Sequence, residues 1–277
     1  MLLGRPSPAS RPVGDLLREW RQRRRLSQLD LAGDAEVSTR HLSCVETGRA
    51  LPSREMVLRL AERLEVPLRE RNALLVAAGY APMYGERPLN DPALAAARKA
   101  IDLVLAGHEP YPAIAVDRHW TLVAHNAAMP ALLAGADAAL LQPPVNVLRL
   151  SLHPQGLAPR IANLAQWRAH LIARLHQQIA ATGDAVLAEL MRELCEYPVP
   201  ADGHDMGHEV DYGGVIVPLQ FRTEHGLLSF FSTTTVFGTP VDITLQELAI
   251  ESFFPADAAT AQELLHAAPG DAPRPNR

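Results

Sequence analysis

Cysteine is scarce in this chain, and long apolar stretches are missing. The two cysteines, Cys44 and Cys195, lie far apart in the sequence, so neither a disulfide framework nor a cysteine-built metal site is expected. No apolar run approaches the roughly 20 residues that a membrane-spanning helix needs, and residues 1–12 lack the apolar stretch of a secretory signal. We therefore expect a cytoplasmic protein without membrane insertion.

Motifs of known catalytic chemistry are also missing. The sequence contains no glycine-rich phosphate loop, no His-Glu-x-x-His zinc motif and no Gly-x-Ser-x-Gly nucleophile motif. One loop combines histidines with acids, and Cys195 or His225 could add a third metal ligand to it: His204, Asp205, His208 and Glu209. Because loop histidines at such spacing are usually solvated, we expect no enzyme, no metal site and no cofactor.

Charge is distributed unevenly along the chain. Residues 1–80 carry 14 Arg against 10 Asp and Glu, a net charge of +4, whereas residues 81–277 carry 12 Lys and Arg against 21 acids, a net charge of −9. With 277 residues, of which 48% are hydrophobic and 21% charged, the chain is long enough for two soluble globular domains. A basic front and an acidic remainder predict a small nucleic-acid-binding module joined to a domain that does not touch nucleic acid.

Five short helices are predicted near the start of the chain. Residues 13–25 repeat apolar side chains at the spacing of one buried helical face. The next four helices follow residues that favour helix starts: Ser27, Ser38, Pro52 with Ser53, and Pro67. We expect a compact all-helical domain at 13–79, after a flexible N-terminus at 1–12 and before a proline-rich linker at 80–92.

The second and third helices of this domain have the arrangement that DNA major-groove recognition needs. Residues 28–34 and 39–47 are separated by a tight turn at 35–38, so one helix braces another whose first side chains project outward. The segments "LSQLDLA", "VSTRHLS" and "VETGR" resemble the Xre or Cro family of helix-turn-helix repressors over about residues 13–66. The resemblance implies binding to a double-stranded DNA operator.

Within that resemblance, outward positions of the third helix are the expected base readers: Thr39, Arg40, Ser43 and Cys44. A guanidinium such as that of Arg40 can make two hydrogen bonds to one guanine, a contact typically worth about 1 to 3 kcal/mol of discrimination. A second set is expected to contact phosphate or, in the case of Gln28, a base edge: Gln28, Ser38, Arg49, Arg21, Arg24 and Arg25. The arginine cluster is alternatively only a solvated helix face.

Two acidic residues of this motif carry separate expectations. Glu46 is expected to form an internal ion pair or cap and not to contact DNA. Glu36 occupies the turn position where the family usually has glycine, a position that often has a positive φ. We expect a slightly altered turn there, with the fold retained.

The rest of the chain mixes helical and strand patterns. Helices are predicted at 93–106 and 163–181, with a further one capped by Asp184, and two short strands are predicted around an Asp117-Arg118 turn, with Asn126 capping the next helix. A hairpin turns at residues 224–226, while "ITLQELAIESFF" fits either a strand or a helix. A final helix precedes a tail at 268–277 that is expected to be disordered. The pattern predicts an α+β domain at 93–267 with a mostly antiparallel sheet.

The segments "YPAIAVDRHWTLVAHNAA", "NVLRLSLHP" and "LAIESFFPAD" resemble the ligand-binding domain of the MmyB-like transcription regulators, which has a PAS-like fold. The resemblance covers about residues 95–267 and implies a sensor of a small apolar or amphiphilic effector, such as a fatty acid. Aromatic side chains with polar neighbours are the candidate pocket residues: Trp120, Trp167, Phe221, Phe230, Phe231, Arg149 and His153. The aromatic residues are alternatively plain core.

Together these patterns predict a DNA-binding transcription regulator, a repressor, whose C-terminal domain senses a small effector. A single helix-turn-helix reads only a few base pairs, so a homodimer on a palindromic operator is expected. The alternative is a C-terminal domain that acts without ligand, as a dimerisation or protein-docking module.

Overall fold

The structure, a computed structural model, describes residues 11–198, 217–238 and 240–267. The chain divides into two compact units. One contains residues 11–88 with two short segments, Ala180–Thr182 and 240–246, and the other contains the remaining described residues. The expected tail at 268–277, most of the expected flexible N-terminus and the loop histidines His204 and His208 lie outside the described residues.

The first unit is built from five helices of the N-terminal region: α1 (Val13–Arg23), α2 (Gln28–Asp34), α3 (Thr39–Glu46), α4 (Arg54–Arg63) and α5 (Leu68–Ala77). The serine caps expected from the sequence are confirmed. The hydroxyls of Ser27, Ser38 and Ser53 accept the amide hydrogens of Asp30, His41 and Met56 at 3.1, 3.1 and 3.2 Å. Each cap satisfies a donor that the first helical turn would otherwise leave unpaired.

The helices of this unit pack around one apolar core. Leu17, Leu31, Leu42, Val57 and Leu60 are fully buried in it. The approach of α1 to α3 is close enough that a Cβ built on Gly14 would lie 2.3 Å from the carbonyl oxygen of Val45. Glycine is therefore required for the spacing of these two helices.

The turn between α2 and α3 keeps a left-handed residue. Glu36 has a φ of +53°, the conformation that glycine adopts at least cost. The fold of the unit is retained, as expected: the Glu36 side chain is exposed, so its Cβ is accommodated with backbone strain alone. That the turn differs from the family's usual one stays a prediction.

The second unit contains helices α6 (Ala95–Gly107), α7 (Met129–Leu133), α8 (Val147–Leu152), α9 (Leu164–Thr182, whose last three residues group with the first unit), α10 (Ala185–Glu196) and α12 (Ala258–Ala267). Its strands are β1 (Ala113–Val116), β2 (Leu122–His125), β3 (Leu219–Thr223), β4 (Gly226–Val236) and β5 (Ala249–Pro255). Helix α11 (Ile243–Gln246) lies between β4 and β5 in the chain. Short 3₁₀ helices occur at Pro92–Leu94, Ala138–Leu141 and Ala158–Arg160.

The five strands form one antiparallel sheet in the order β2-β1-β5-β4-β3. The last strand in the sequence, β5, therefore lies at the centre of the sheet. Its register pairs Ile250 with Ala115 on one side and with Thr235 on the other. The fold class expected from the sequence, a helical N-terminal region followed by an α+β domain with an antiparallel sheet, is confirmed.

Two local expectations are corrected or resolved. Asn126 does not cap a helix: its side chain is buried, accepts the amide of Ala113 at 3.1 Å and donates to the carbonyl of Tyr111 at 2.7 Å, while α7 begins at Met129. The segment "ITLQELAIESFF", which fits either a helix or a strand, forms both: the short helix α11 is followed by the strand β5. None of the helices in the described ranges combines the length and apolarity that crossing a membrane requires.

Candidate functional site

The outward side of α3 carries the residues expected to read bases. Leu42, Val45 and Glu46 point into the unit and are buried. The remaining positions of α3 are accessible: Arg40 and His41 are exposed, and Thr39, Ser43 and Cys44 are partly exposed. The structure therefore brings the four expected base readers together on one helical face.

Glu46 is the centre of a buried polar network behind that face. Its side chain is fully buried, and Arg21 donates to its two oxygens at 2.7 and 2.8 Å. Gln28 donates to the same carboxylate at 2.8 Å. Burial raises the pKa of Glu46, but the hydrogen bonds from Arg21 and Gln28 outweigh it and leave this pKa below its ordinary value. The internal ion pair expected for Glu46 is confirmed.

The residues expected to contact phosphate differ in how far their side chains are hydrogen-bonded within the protein. Arg24 donates to the carbonyl oxygens of Leu64 and Glu65 at 2.8 and 3.1 Å. Arg25 is exposed, and so is Arg49, which donates to Thr47 at 3.1 Å. Arg21 and Gln28 hold Glu46, whereas Ser38 is exposed at the first turn of α3. Of the arginines expected to contact phosphate, Arg25 and Arg49 are therefore the exposed ones.

The second unit encloses a cavity of about 80 Å³, which is room for roughly half a dozen water molecules. Its wall is almost wholly apolar and comes from the helices and from the sheet. Three of the expected pocket residues, Trp120, Trp167 and Phe221, line it. Phe230 and Phe231 are not in the lining: Phe230 is fully buried in the core, and Phe231 stacks on a neighbouring phenylalanine at 5.3 Å.

The two tryptophans of the wall are fixed by hydrogen bonds from their indole nitrogens. Trp120 donates to Gln178 at 2.9 Å, and its backbone has a φ of +66°. Trp167 donates to the hydroxyl of Ser151 at 3.0 Å. A bulky residue held at positive φ stores strain that the surrounding contacts must maintain. The shape of this wall is therefore set by specific polar contacts as well as by packing.

One ion pair lies at the cavity wall. Arg174 of α9 donates to the two carboxylate oxygens of Glu251 of β5, at 2.5 and 3.0 Å. Thr234 accepts from Arg174 at 2.7 Å and donates to Glu251 at 2.9 Å. Only 3% of Glu251 is exposed, and the Arg174 guanidinium lies 4.6 Å from the centre of the Trp120 ring.

Sequence reasoning missed this pair, although a signal was present. Glu251 interrupts an apolar strand after Ile250, and a charged residue in the middle of a buried strand needs a partner. Arg174 follows Leu171 by three positions on a face assigned to the core. The spacing alone does not show that these two residues meet.

The expected polar pocket residues Arg149 and His153 form a separate surface cluster. Arg149 donates to Glu193 at 2.7 Å, and Tyr197 donates to the same carboxylate at 2.6 Å. His153 packs edge-on against Tyr197 at 5.1 Å. The hydrogen bond from Arg149 lowers the pKa of Glu193. Neither Arg149 nor His153 lines the cavity.

In the part of the chain that the structure describes, no group of three or more His, Cys, Asp or Glu side chains could hold a metal ion. Cys195 is exposed, and His225 lies beside Glu224 at 3.5 Å. The other residues weighed for that site, His204, Asp205, His208 and Glu209, are outside the described ranges.

Comparison with known proteins identifies both parts of the chain. Residues 12–74 match the family model of a helix-turn-helix domain, and residues 97–265 match that of the MmyB-like transcription regulator ligand binding domain. A search of curated proteins gives no significant match. Because the second match covers more than half of the chain, the protein belongs to the family of MmyB-like transcription regulators, and it is a DNA-binding regulator with a ligand-binding domain.

Proposed function

We propose that this protein is a repressor that binds a palindromic operator as a homodimer. Its affinity for the operator changes when a small amphiphilic molecule, such as a fatty acid, occupies the cavity of the second unit. DNA binding is supported by the outward face of α3, where Arg40 is exposed and Thr39, Ser43 and Cys44 are partly exposed. The effector half depends on the apolar cavity with one ion pair in its wall.

Arg40 has the chemistry to specify a base. It is exposed on the first turn of α3, the part of a recognition helix that enters the major groove. Its planar guanidinium offers two donors to the O6 and N7 atoms of one guanine. Thr39 and Ser43 add hydroxyls, and Cys44 adds a small apolar contact.

The neighbouring cations supply affinity without sequence preference. Arg25 and Arg49 are exposed and suit phosphate contacts. Arg21 and Gln28 are bound to Glu46, so we assign them chiefly to holding α1 and α2 against α3. Gln28 keeps a partly exposed side chain at the start of α2, where a phosphate can also approach the amide groups.

The cavity favours a ligand sensor over a ligand-free docking module. A docking module needs only a filled core, whereas this core contains apolar space in contact with a polar pair. Regulation also requires that the effector bind the DNA-competent and DNA-incompetent states with different affinity. An apolar ligand that fills the cavity can meet this condition by stabilising one packing of the surrounding helices and sheet.

Operator binding tests the DNA half. An operator selected from random DNA by the full-length protein should be palindromic, and Arg40→Ala should reduce discrimination at one base position by about 1 to 3 kcal/mol. Arg149→Ala, which also removes an arginine, is the matched control and should leave discrimination unchanged. Equal discrimination by the wild type and Arg40→Ala would refute the base-reading role.

Mass spectrometry tests the effector half. The full-length protein, denatured and extracted with organic solvent, should release a small amphiphile in near-equal molar amount. Val147→Phe adds a ring to a partly exposed wall residue and should lose the molecule, whereas Arg149→Ala should retain it. A molecule that is retained by both variants is not bound in this cavity.

A further inference from the structure

The polar part of the cavity wall is already electrically neutral. Arg174 contributes one positive charge and Glu251 one negative charge, and the two are joined by two hydrogen bonds. Thr234 bridges them with its hydroxyl. The other polar side chains of the lining, Ser151 and Ser232, are uncharged. A ligand therefore meets no unbalanced charge in this wall.

Glu251 is held too firmly to make way for a ligand. It lies on the central strand β5, and only 3% of it is exposed. One oxygen accepts from both Arg174 and Thr234, and the other accepts from Arg174. Removing a buried carboxylate from its partner leaves a charge without compensation, which is strongly unfavourable.

Arg174 nevertheless keeps hydrogen-bonding capacity. A guanidinium has five N–H groups, and three of them donate to Glu251 and Thr234. The other two, the Nε–H and one Nη1–H, have no acceptor among the described residues. They can donate to a hydroxyl, an ester or an amide oxygen without any change in the charge balance.

We propose that the cavity binds its effector with the polar end uncharged, as an alcohol, an ester, an amide or the protonated form of a carboxylic acid. This inference rests on the proposed function, namely that the cavity binds an amphiphile. A ligand carboxylate would share one guanidinium with Glu251, and two like charges close together in an apolar site repel strongly. A ligand ammonium would be repelled by the positive charge of Arg174 in the same way.

His170, a titratable neighbour of Arg174 on α9, does not supply a positive charge for a ligand carboxylate. His170 stacks on Trp167 with ring centres 5.5 Å apart. Burial, and after it the positive charge of Arg174, lower the pKa of His170. The imidazole is therefore neutral at neutral pH and leaves an incoming carboxylate uncompensated.

Isothermal titration calorimetry of the full-length protein at neutral pH tests this inference with three ligands of equal chain length: 1-octanol, octanoate and octylammonium. We expect octanol to bind at least about tenfold more tightly than either charged ligand. Glu251→Gln keeps the shape but leaves the charge of Arg174 unbalanced, so that octanoate should become the tightest ligand. Glu193→Gln makes the same change in the surface pair with Arg149 and should keep the wild-type order.

The outcomes separate this inference from the proposed function. If wild-type protein binds octanoate as tightly as octanol, or if folded Glu251→Gln keeps the wild-type order, the inference is overturned while the sensor function stands. If none of the three ligands binds the wild type, or if Val147→Phe binds them equally well, both are overturned. Should Glu251→Gln not fold, the wild-type order alone decides.

Discussion

Alanine in place of Gly14 should disrupt the packing of the DNA-binding helices, whereas alanine in place of Gly33 should not. A Cβ on Gly14 would lie 2.3 Å from the carbonyl oxygen of Val45 and 3.0 Å from backbone atoms of Glu46. These are backbone atoms of α3, which cannot rotate away as a side chain can. A Cβ on Gly33, in α2, would meet no atom within 4 Å.

Alanine gains the same helix propensity over glycine at both sites, and the sites differ only in the clash of the added Cβ with the backbone of α3. Alanine is favoured over glycine in a helix by up to about 1 kcal/mol, so Gly33→Ala should stabilise the helical unit by about 0.5 to 1 kcal/mol. At Gly14 that gain opposes overpacking, which costs about 1 to 3 kcal/mol and more against rigid backbone. We expect a net loss of about 2 kcal/mol, or about 8 to 16 °C for a unit of this size.

Hydrogen exchange measured by mass spectrometry on the full-length protein resolves the helical unit from the rest of the chain. Peptides within residues 13–46 should exchange faster in Gly14→Ala and slower in Gly33→Ala. Gly14→Ala should also bind the operator more weakly, because α3 is displaced. Wild-type protection in Gly14→Ala would show that α1 and α3 are not held at the spacing described above, and the reasoning would fail.

Three further predictions concern single side chains. Glu36→Gly should raise the stability of the helical unit by about 1 kcal/mol by relieving the left-handed strain, as urea denaturation would show; a loss would refute the strain argument. Arg21→Ala should cost about 3 kcal/mol, because Glu46 stays buried with weaker partners. Since the folded pKa of Glu46 is lowered, wild-type stability should fall as the pH drops below about 4.5, and an equal fall in Arg21→Ala would contradict this. Arg149→Ala should cost less than about 1 kcal/mol, because its pair with Glu193 is partly exposed; calorimetry should also show unchanged ligand affinity.

Local signals predicted the helical region well. Ser27, Ser38 and Ser53 cap helices where the sequence places them, because a cap depends only on residues three positions away. Glu46 was expected to pair internally, and it does so with Arg21. The sequence did not show that Arg21 is the partner, since the two residues are 25 positions apart.

The cavity wall was only partly predictable for the same reason. Trp120, Trp167 and Phe221 line the cavity, but the aromatic pattern gave no means to separate them from Phe230, which is plain core. The pair of Arg174 with Glu251 depends on the contact between a helix and a strand 77 residues apart. Periodicity assigns side chains to a face of an element, whereas a binding site depends on which faces meet.

Because β5 is both the last strand in the sequence and the central strand of the sheet, the sheet can be completed only late in synthesis. β1 and β4 can be joined only after Pro255 has been made, whereas the DNA-binding helices are complete at Ala77. The intervening 178 residues take roughly 10 to 35 s to synthesise at typical rates. A chain that ends before β5 would therefore have its DNA-reading helices but lack the sheet that forms the effector cavity, and its DNA binding would not respond to the effector.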